Sequence, residues 1–548
     1  MLLGRIIPLF VLLPLLSWGQ TAPHTWWVQF TDKDQTPYSI DAPEMFLSER
    51  SIQRREMQHI PVDESDLPVD PAYVAAVLAL GDVELRNRSR WFNAITVRTD
   101  DPTIVEAIGS LPFVADIRST QRVGQVGHLT KGTWTTPGGM RGGEGDYGAS
   151  LYQLAMMNGH LLHLEWAARG EGMLIGVLDS GFDGVDTLSG FQDLRDREGI
   201  LLAQDLAEPG GNVYVSHSHG RAVLSAMAAV RPGELVGSAP NADYALVRTE
   251  DAGTEFLIEE DNWVSGAELL DSLGCDVLNT SLGYTVFDDS TMNHTTDQLD
   301  GLTARISIAA GMASAKGMIP VNSAGNRGGD EWYYMSMPAD AHNILAVGSV
   351  NADSVHSWFS GHGPSADGRV KPDVAALGEN TLSLGGDGTQ VMGLNGTSLA
   401  SPLVAGLVAC LWQLHPERSA NDVMDAVRRS ASQWAAPDHR SGYGIPDFMW
   451  AHNWLLVTAS VGTASPDGSL AVFPVPFQDH FNLQLPGSDN MQIIMHDALG
   501  RVVWRTSSQM GHDRKITAHG LGDLPTGAYV IRVSGGSGHW SRMVMKAP

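Results

Sequence analysis

Only two cysteines, Cys275 and Cys410, occur in 548 residues. That is too few for a disulfide framework to hold the fold. Both sit in apolar runs, so buried free thiols are expected and no bridge is inferred. Positive charge is also scarce. Lys and Arg number 35 against 62 Asp and Glu, a formal net charge of −27 at pH 7. A nucleic-acid partner needs a basic face to meet its phosphates, so none is expected. Long apolar runs are missing after the extreme N-terminus. No later segment has the ~20 apolar residues of a membrane span, so no transmembrane segment is expected in the mature protein.

What is present points to several packed domains. The length suggests roughly three to four of them, and a hydrophobic content of 43% is ample for their cores. Residues 1–19 read as a signal peptide: Arg5 supplies the charge, residues 6–16 the apolar stretch, and Ser17-Trp18-Gly19 a small-residue cleavage site. The apolar stretch is short for a membrane anchor.

The segment Gly396-Thr397-Ser398-Leu399-Ala400-Ser401-Pro402 leads into an apolar helix at 403–414. A hydroxyl delivered there sits beside unpaired backbone N–H groups and the positive end of the helix dipole. That environment favours the developing oxyanion of acyl transfer. Alone, the same turn is an ordinary helix N-cap.

Three upstream segments add to it. Met173-Leu174-Ile175-Gly176-Val177-Leu178-Asp179 reads as a strand buried on both faces, with Asp179 at its carboxyl end, where open α/β sheets place ligands. His219-Gly220 opens a helix of small residues. Histidine is the usual general base near neutral pH, and the glycine lets another backbone come close. His217 and His219 are too sparse a pair for a zinc site. Ile319-Pro320-Val321-Asn322-Ser323-Ala324-Gly325-Asn326 is a strand running into a turn, where the Asn326 amide can serve either the turn or an oxyanion.

Together these segments resemble the subtilases, the subtilisin-like serine proteases. The matches are Asp-Ser-Gly at 179–181, His-Gly at 219–220, Ser-Leu-Gly at 281–283, Ala-Gly-Asn at 324–326 and Gly-Thr-Ser-Leu-Ala-Ser-Pro at 396–402. The order Asp, His, Ser is that of subtilisin. No Gly-x-Ser-x-Gly occurs, which tells against an esterase or lipase. The resemblance implies an α/β fold with a doubly wound, mostly parallel sheet. It also implies a secreted endopeptidase acting on proteins or peptides. Ser398 would be the nucleophile, His219 the base, Asp179 its orienting carboxylate, and Asn326 the oxyanion donor together with the Ser398 N–H. Ser281, Leu282 and Gly283 would pair with the substrate backbone, with Ala324 and Gly325 beside them. No cofactor or metal is required for the chemistry. Structural calcium fits the family, although no loop has the dense Asp/Asn spacing that would assign it. Two positions depart from the family pattern: Arg221 replaces the usual Thr, and Leu399 the commoner Met. The competing reading is a non-catalytic surface binding or adhesion protein on the same scaffold.

The flanks resemble accessory domains. Residues 20–122 mix strands (strongest over 91–97) with helices near 47–59, 71–80 and after the Asp101-Pro102 cap. This α+β pattern resembles a subtilase propeptide, an intramolecular inhibitor. Residues 123–150, rich in Gly and Thr, read as a flexible linker and the place for processing. The peptidase domain is expected over 151–458. There His160 and His163 read as ordinary helix residues, and strands are expected near 244–248, 277–281 and 344–350, with helices at 268–273 and 298–315. Residues 459–548 read as a small β-sandwich. Pro474-Val475-Pro476-Phe477, His496-Asp497-Ala498-Leu499-Gly500-Arg501 and Leu524-Pro525-Thr526-Gly527-Ala528-Tyr529 resemble the type IX (Por) secretion sorting domain. The implied partner is that machinery, and the destination is the outside or the surface of a Gram-negative cell.

Overall fold

The computed structural model describes residues 24–121, 145–459, 470–485, 491–497, 501–508, 515–535 and 538–547. The expected signal peptide, most of the expected linker and residues 498–500 lie outside the described residues.

The N-terminal unit is a four-stranded antiparallel sheet in the order β2-β3-β1-β4 with three helices. In chain order these are β1 (Thr25–Phe30), α1 (Glu49–Met57), α2 (Pro71–Leu78), β2 (Glu84–Ser89), β3 (Ala94–Arg98), α3 (Pro102–Gly109) and β4 (Val114–Gln121). Side chains cap all three helices: Ser48, Asp70 and Asp101 accept from backbone N–H groups in the first turn. Each such cap is worth ~1 kcal/mol. Val28, Ile95, Val97 and Ile108 close the core at 0% exposure. The stretch 91–97 is not one strand. Residues 91–93 turn, because Glu268, from the next unit, takes the Arg90 and Trp91 N–H groups at 2.7 and 3.1 Å.

The central unit contains α4 (Leu151–Ala155), α5 (His160–Trp166), β5 (Leu174–Asp179), α6 (Gln192–Asp196), β6 (Ile200–Asp205) and α7 (His219–Ala228). A short pair, β7 (Val230–Arg231) and β8 (Leu235–Val236), precedes β9 (Asp243–Arg248), α8 (Ile258–Leu273), β10 (Val277–Thr280), α9 (Arg305–Ala315), β11 (Ile319–Ser323) and β12 (Leu345–Val350). Then come β13 (Val374–Leu377), the hairpin β14 (Thr381–Ser383) and β15 (Met392–Leu394), and α10 (Thr397–Gln413), α11 (Ala420–Arg429) and α12 (Phe448–Ala459). Seven strands form one parallel sheet in the order β13-β12-β11-β10-β5-β9-β6. Helices cover both faces: α7 and α10 pack in one apolar cluster with the sheet, α8 and α9 in another. The apolar strand sequences reflect that two-sided burial. No helix among the described residues is long and apolar enough to cross a membrane.

Elements of the central unit also differ from the sequence expectation: the helix expected over 298–315 begins only at Arg305, after a separate turn at Thr296–Gln298. Helix α8 starts ten residues earlier than 268, at Ile258, and buries Glu259, Glu260, Asp261, Glu268 and Asp271. These acids face partners rather than water, so their pattern is not amphipathic. Residues 145–150 form a helical turn instead of loose linker, since Tyr147 is 5% exposed and its hydroxyl meets His163 Nδ1 at 2.8 Å. His163 also contacts the Ser238 carbonyl at 3.0 Å, and burial pushes it down to about 4. It is therefore a neutral core histidine. Cys275 and Cys410 are free and buried.

The C-terminal unit packs two antiparallel sheets around Phe477, Phe481, Ile493, Met495, Ile531 and Val544. The first sheet contains β16 (Ala471–Phe473), β17 (Phe481–Gln484) and β20 (Lys515–Ala518). The second contains β18 (Met491–His496), β19 (Val502–Ser508), β21 (Gly527–Gly535) and β22 (Gly538–Lys546). β16 stops at Phe473 because Pro474 and Pro476 offer no N–H to a ladder.

Candidate active site

Three parallel strands and two helix N-termini bring the distant motifs together. Asp179 ends β5, which lies between β10 and β9 in the sheet, and is fully buried. Its Oδ1 lies 2.7 Å from His219 Nδ1 and accepts the Ser180 N–H at 2.8 Å. Ser180 Oγ also contacts His217 Nδ1 at 2.9 Å, so the second histidine braces the same corner. His219 is the first residue of α7, with its side chain 18% exposed. Gly220 makes this contact possible. A Cβ there would come within 2.5 Å of the Gly181 carbonyl and 2.9 Å of Asp179 Cβ.

Ser398 is the second residue of α10 and is 6% exposed. Its N–H belongs to the first turn, where no intrahelical acceptor exists. Gly396 precedes the helix at φ +149°, a backbone state that side chains rarely adopt. Pro402 stands four residues after Ser398 and has no N–H, so the Ser398 carbonyl lacks its helical donor. Ser281 Oγ supplies one at 2.9 Å. In return Ser398 Oγ donates to the Ser281 carbonyl at 3.1 Å. This reciprocal clasp ties the end of β10 to the start of α10.

Asn326 follows β11 and is exposed. Its Oδ1 accepts from the Thr397 N–H and from Thr397 Oγ1, both at 2.9 Å. With the oxygen so occupied, the amide nitrogen is the face that remains to donate outward. Sequence reasoning misses Thr397, although its place before the serine in Gly-Thr-Ser carries the signal.

Leu282 and Gly283 lie beyond β10. Among the described residues no backbone hydrogen bond involves either, whereas Tyr284 pairs with Met337 in both directions at 2.9 and 3.2 Å. Ala324 is fully buried; its N–H donates to the Val347 carbonyl at 2.9 Å and its carbonyl accepts the Ser336 N–H at 3.1 Å. The Gly325 carbonyl accepts the Gly361 N–H at 2.9 Å. Arg221 is buried, and its guanidinium bonds the carbonyls of Leu384, Asp183 and Gly386 and the Asp183 carboxylate. It stitches α7 to the hairpin loop after β14. Burial pulls its guanidinium below the ordinary value while Asp183 opposes this. Leu399 packs with Ala222 and Leu394.

The subtilase family model matches residues 170–444, half of the chain. The chain belongs to the subtilase family. Residues 25–132 match the peptidase S8 propeptide domain of Bacteroidota, and residues 471–547 match the secretion system C-terminal sorting domain. The sorting domain marks this subtilase for the type IX route to the outside or to the cell surface. Among characterised relatives, serine protease AprX of Bacillus subtilis is 25% identical over 49% of this chain and 63% of its own length. A thermostable alkaline protease of Halalkalibacterium halodurans is 26% identical over 49% of this chain and 64% of its own length. This chain thus spans under two thirds of both. Subtilisin DY of Bacillus licheniformis is 28% identical over 48% of this chain and 85% of its own length. A crystal structure of MycP1 from Mycobacterium smegmatis aligns with 55% of this chain and 84% of its own at 21% identity and a TM-score of 0.43.

Proposed function

We propose that this subtilase is a secreted serine endopeptidase working through an acyl-enzyme. The 2.7 Å contact between Asp179 and His219, made possible by Gly220, carries the reading. Ser398 Oγ leaves the Ser281 carbonyl, gives its proton to His219 and attacks the scissile carbonyl. Asp179 holds the imidazole tautomer and stabilises the imidazolium, which then protonates the leaving amine. The Asn326 amide and the Ser398 N–H receive the oxyanion. The unbonded backbone of Leu282 and Gly283 offers an edge to which an extended substrate adds as a strand, with Ser281 and Gly325 flanking it. No cofactor enters these steps.

In the same reading residues 20–122 inhibit the peptidase domain, 151–458, until 123–150 is cut, and 459–548 addresses the chain for export. The test is fluorophosphonate labelling with adduct mapping, against Ser398→Ala. Labelling confined to Ser398 supports the reading. A folded protein freed of residues 20–145 that takes no label favours the non-catalytic binding scaffold.

A further inference from the structure

Two neighbouring strands part beside Ser398. β10 and β11 pair in parallel as far as Thr280 and Asn322. The ladder ends there, and Leu282-Gly283 and Ala324-Gly325 continue on either side of a gap. Both sides of that gap reach the nucleophile. Ser398 Oγ donates to the Ser281 carbonyl at 3.1 Å, and Asn326 accepts from the Thr397 N–H at 2.9 Å. On the peptidase reading, a peptide carbonyl held between Ser398 Oγ and the Asn326 amide sends its own side chain into this gap.

One side chain fills the far end. Ser336 is 3% exposed. Its N–H donates to the Ala324 carbonyl at 3.1 Å, and the next residue, Met337, pairs with Tyr284 in both directions at 2.9 and 3.2 Å. Residues 336–337 thus bridge the two diverging segments. The Ser336 side chain lies against both glycines. A Cβ on Gly283 would come within 2.7 Å of Ser336 Cβ, and a Cβ on Gly325 would collide with Ser336 Oγ. Real Cβ atoms do not approach so closely, so not even a methyl group fits between Ser336 and either wall. Met335, Met337 and Tyr284 around it are fully buried, so Ser336 has little freedom to give way. Arg327 closes a second side: its guanidinium donates to Thr285 Oγ1 at 2.9 Å.

We propose that Ser336 is the floor of the pocket for the residue before the cut, and that the peptidase cuts after small residues, Ala and Ser above all. The proposal rests on the peptidase reading and names its substrate class. Glycine walls let a side chain slide between two backbones. A floor that already touches both walls stops it after about one or two heavy atoms. A Phe or Leu would have to displace Ser336 from dense packing, and that cost falls on the transition state. The linker of this chain suits the same preference. Residues 123–150, where processing is expected, are rich in Gly and Thr.

The test uses the full chain with its linker cut and its N-terminal unit released. The substrates are succinyl-Ala-Ala-Pro-X p-nitroanilides with Ala, Ser, Leu, Phe or Glu as X. Rates of a Ser398→Ala chain treated in the same way are subtracted. kcat/KM for Ala should exceed that for Phe or Leu by about tenfold or more. Ser336→Gly, which empties the floor, should raise the Phe-to-Ala ratio by about tenfold or more, with Ser336→Ala between it and the parent. Fluorophosphonate labelling of Ser398 makes no use of this pocket, so it separates the two proposals. A labelled parent that prefers Phe, Leu or Glu, or a Phe-to-Ala ratio unmoved in both variants, overturns the pocket and leaves the peptidase standing. A chain that neither labels nor cleaves overturns both.

Discussion

Asp271 is the carboxylate on which the N-terminal unit's cations converge. Arg54, Arg55 and Arg90 all bond it, and it is fully buried on α8. Asp271→Asn keeps the shape and removes the charge. Burial by itself would raise this carboxyl, but Arg54, Arg55 and Arg90 hold it down at about 2, from an ordinary 3.8. That difference corresponds to ~2–3 kcal/mol in favour of the charged form. Removing one member of a buried ion pair costs ~3–5 kcal/mol, because the partner charges stay buried. Taking ~3 kcal/mol, docking of the N-terminal unit should weaken ~150-fold. The assay nicks residues 122–144 of the Ser398→Ala chain with an added protease. Release of the N-terminal unit is then followed by surface plasmon resonance at pH 7. A dissociation constant within about threefold of the parent's would refute the reasoning, since roughly 0.65 kcal/mol is no buried charge. The pH dependence provides a second check. The docked carboxyl is depressed, so its contribution is present above 3.8 and lost as pH falls towards 2. The gap between parent and variant should close over that interval.

Three further outcomes are expected. Asn326→Ala should lower kcat by about 10²–10³ with little change in KM, the magnitude known for the equivalent loss in subtilisin; a matched rise in KM instead would mean ground-state binding. Gly220→Ala should destabilise by ~1–3 kcal/mol and slow turnover, because its Cβ would press the Gly181 carbonyl and Asp179; urea unfolding alongside kcat would show a silent substitution if that packing were wrong. Burial pushes His163 and His415 down to about 4, below their ordinary 6.5, so the unfolded chain binds more protons between those values. Stability should therefore fall as pH drops from 6.5 towards 4, by ~2–3 kcal/mol for each histidine, and a flat melting temperature across that range would contradict their burial as neutral groups.

Much of the fold and the site is legible in the residue order. The apolar runs ending at Asp179 and Asn322 are buried strands, and His219 opens its helix. The Asp101-Pro102 pair caps α3, as local chemistry requires. Other elements carry no such local signal. The edge strand β6 alternates in exposure and lacks the continuous apolar run of its neighbours. The first turn of α8 carries three consecutive acids with no apolar period to mark a helix, and two of them find partners only in the fold: Glu260 meets His294 and Asp261 meets Arg305. Residues 91–93 look like strand, yet turn to place the Arg90 and Trp91 N–H groups on Glu268, which is remote in sequence.

The sequence by itself determined the chemistry that residue order and local spacing can carry: a serine at a helix start, a histidine before glycine, an aspartate at a strand end, and the family to which they belong. Local periodicity also set the parallel α/β layering, because buried strands must be apolar on both faces. Tertiary structure alone decided which charges are paired and which polar groups converge. The Arg54–Asp271 contact spans 217 residues, and the Ser281–Ser398 clasp spans 117. The Glu250, Glu255 and Glu259 carboxylates, which lie within 4.8 Å of one another, have no distinguishing spacing along the chain. Coulombic and hydrogen-bonding partners depend on distance in space, and only the packed fold sets that distance.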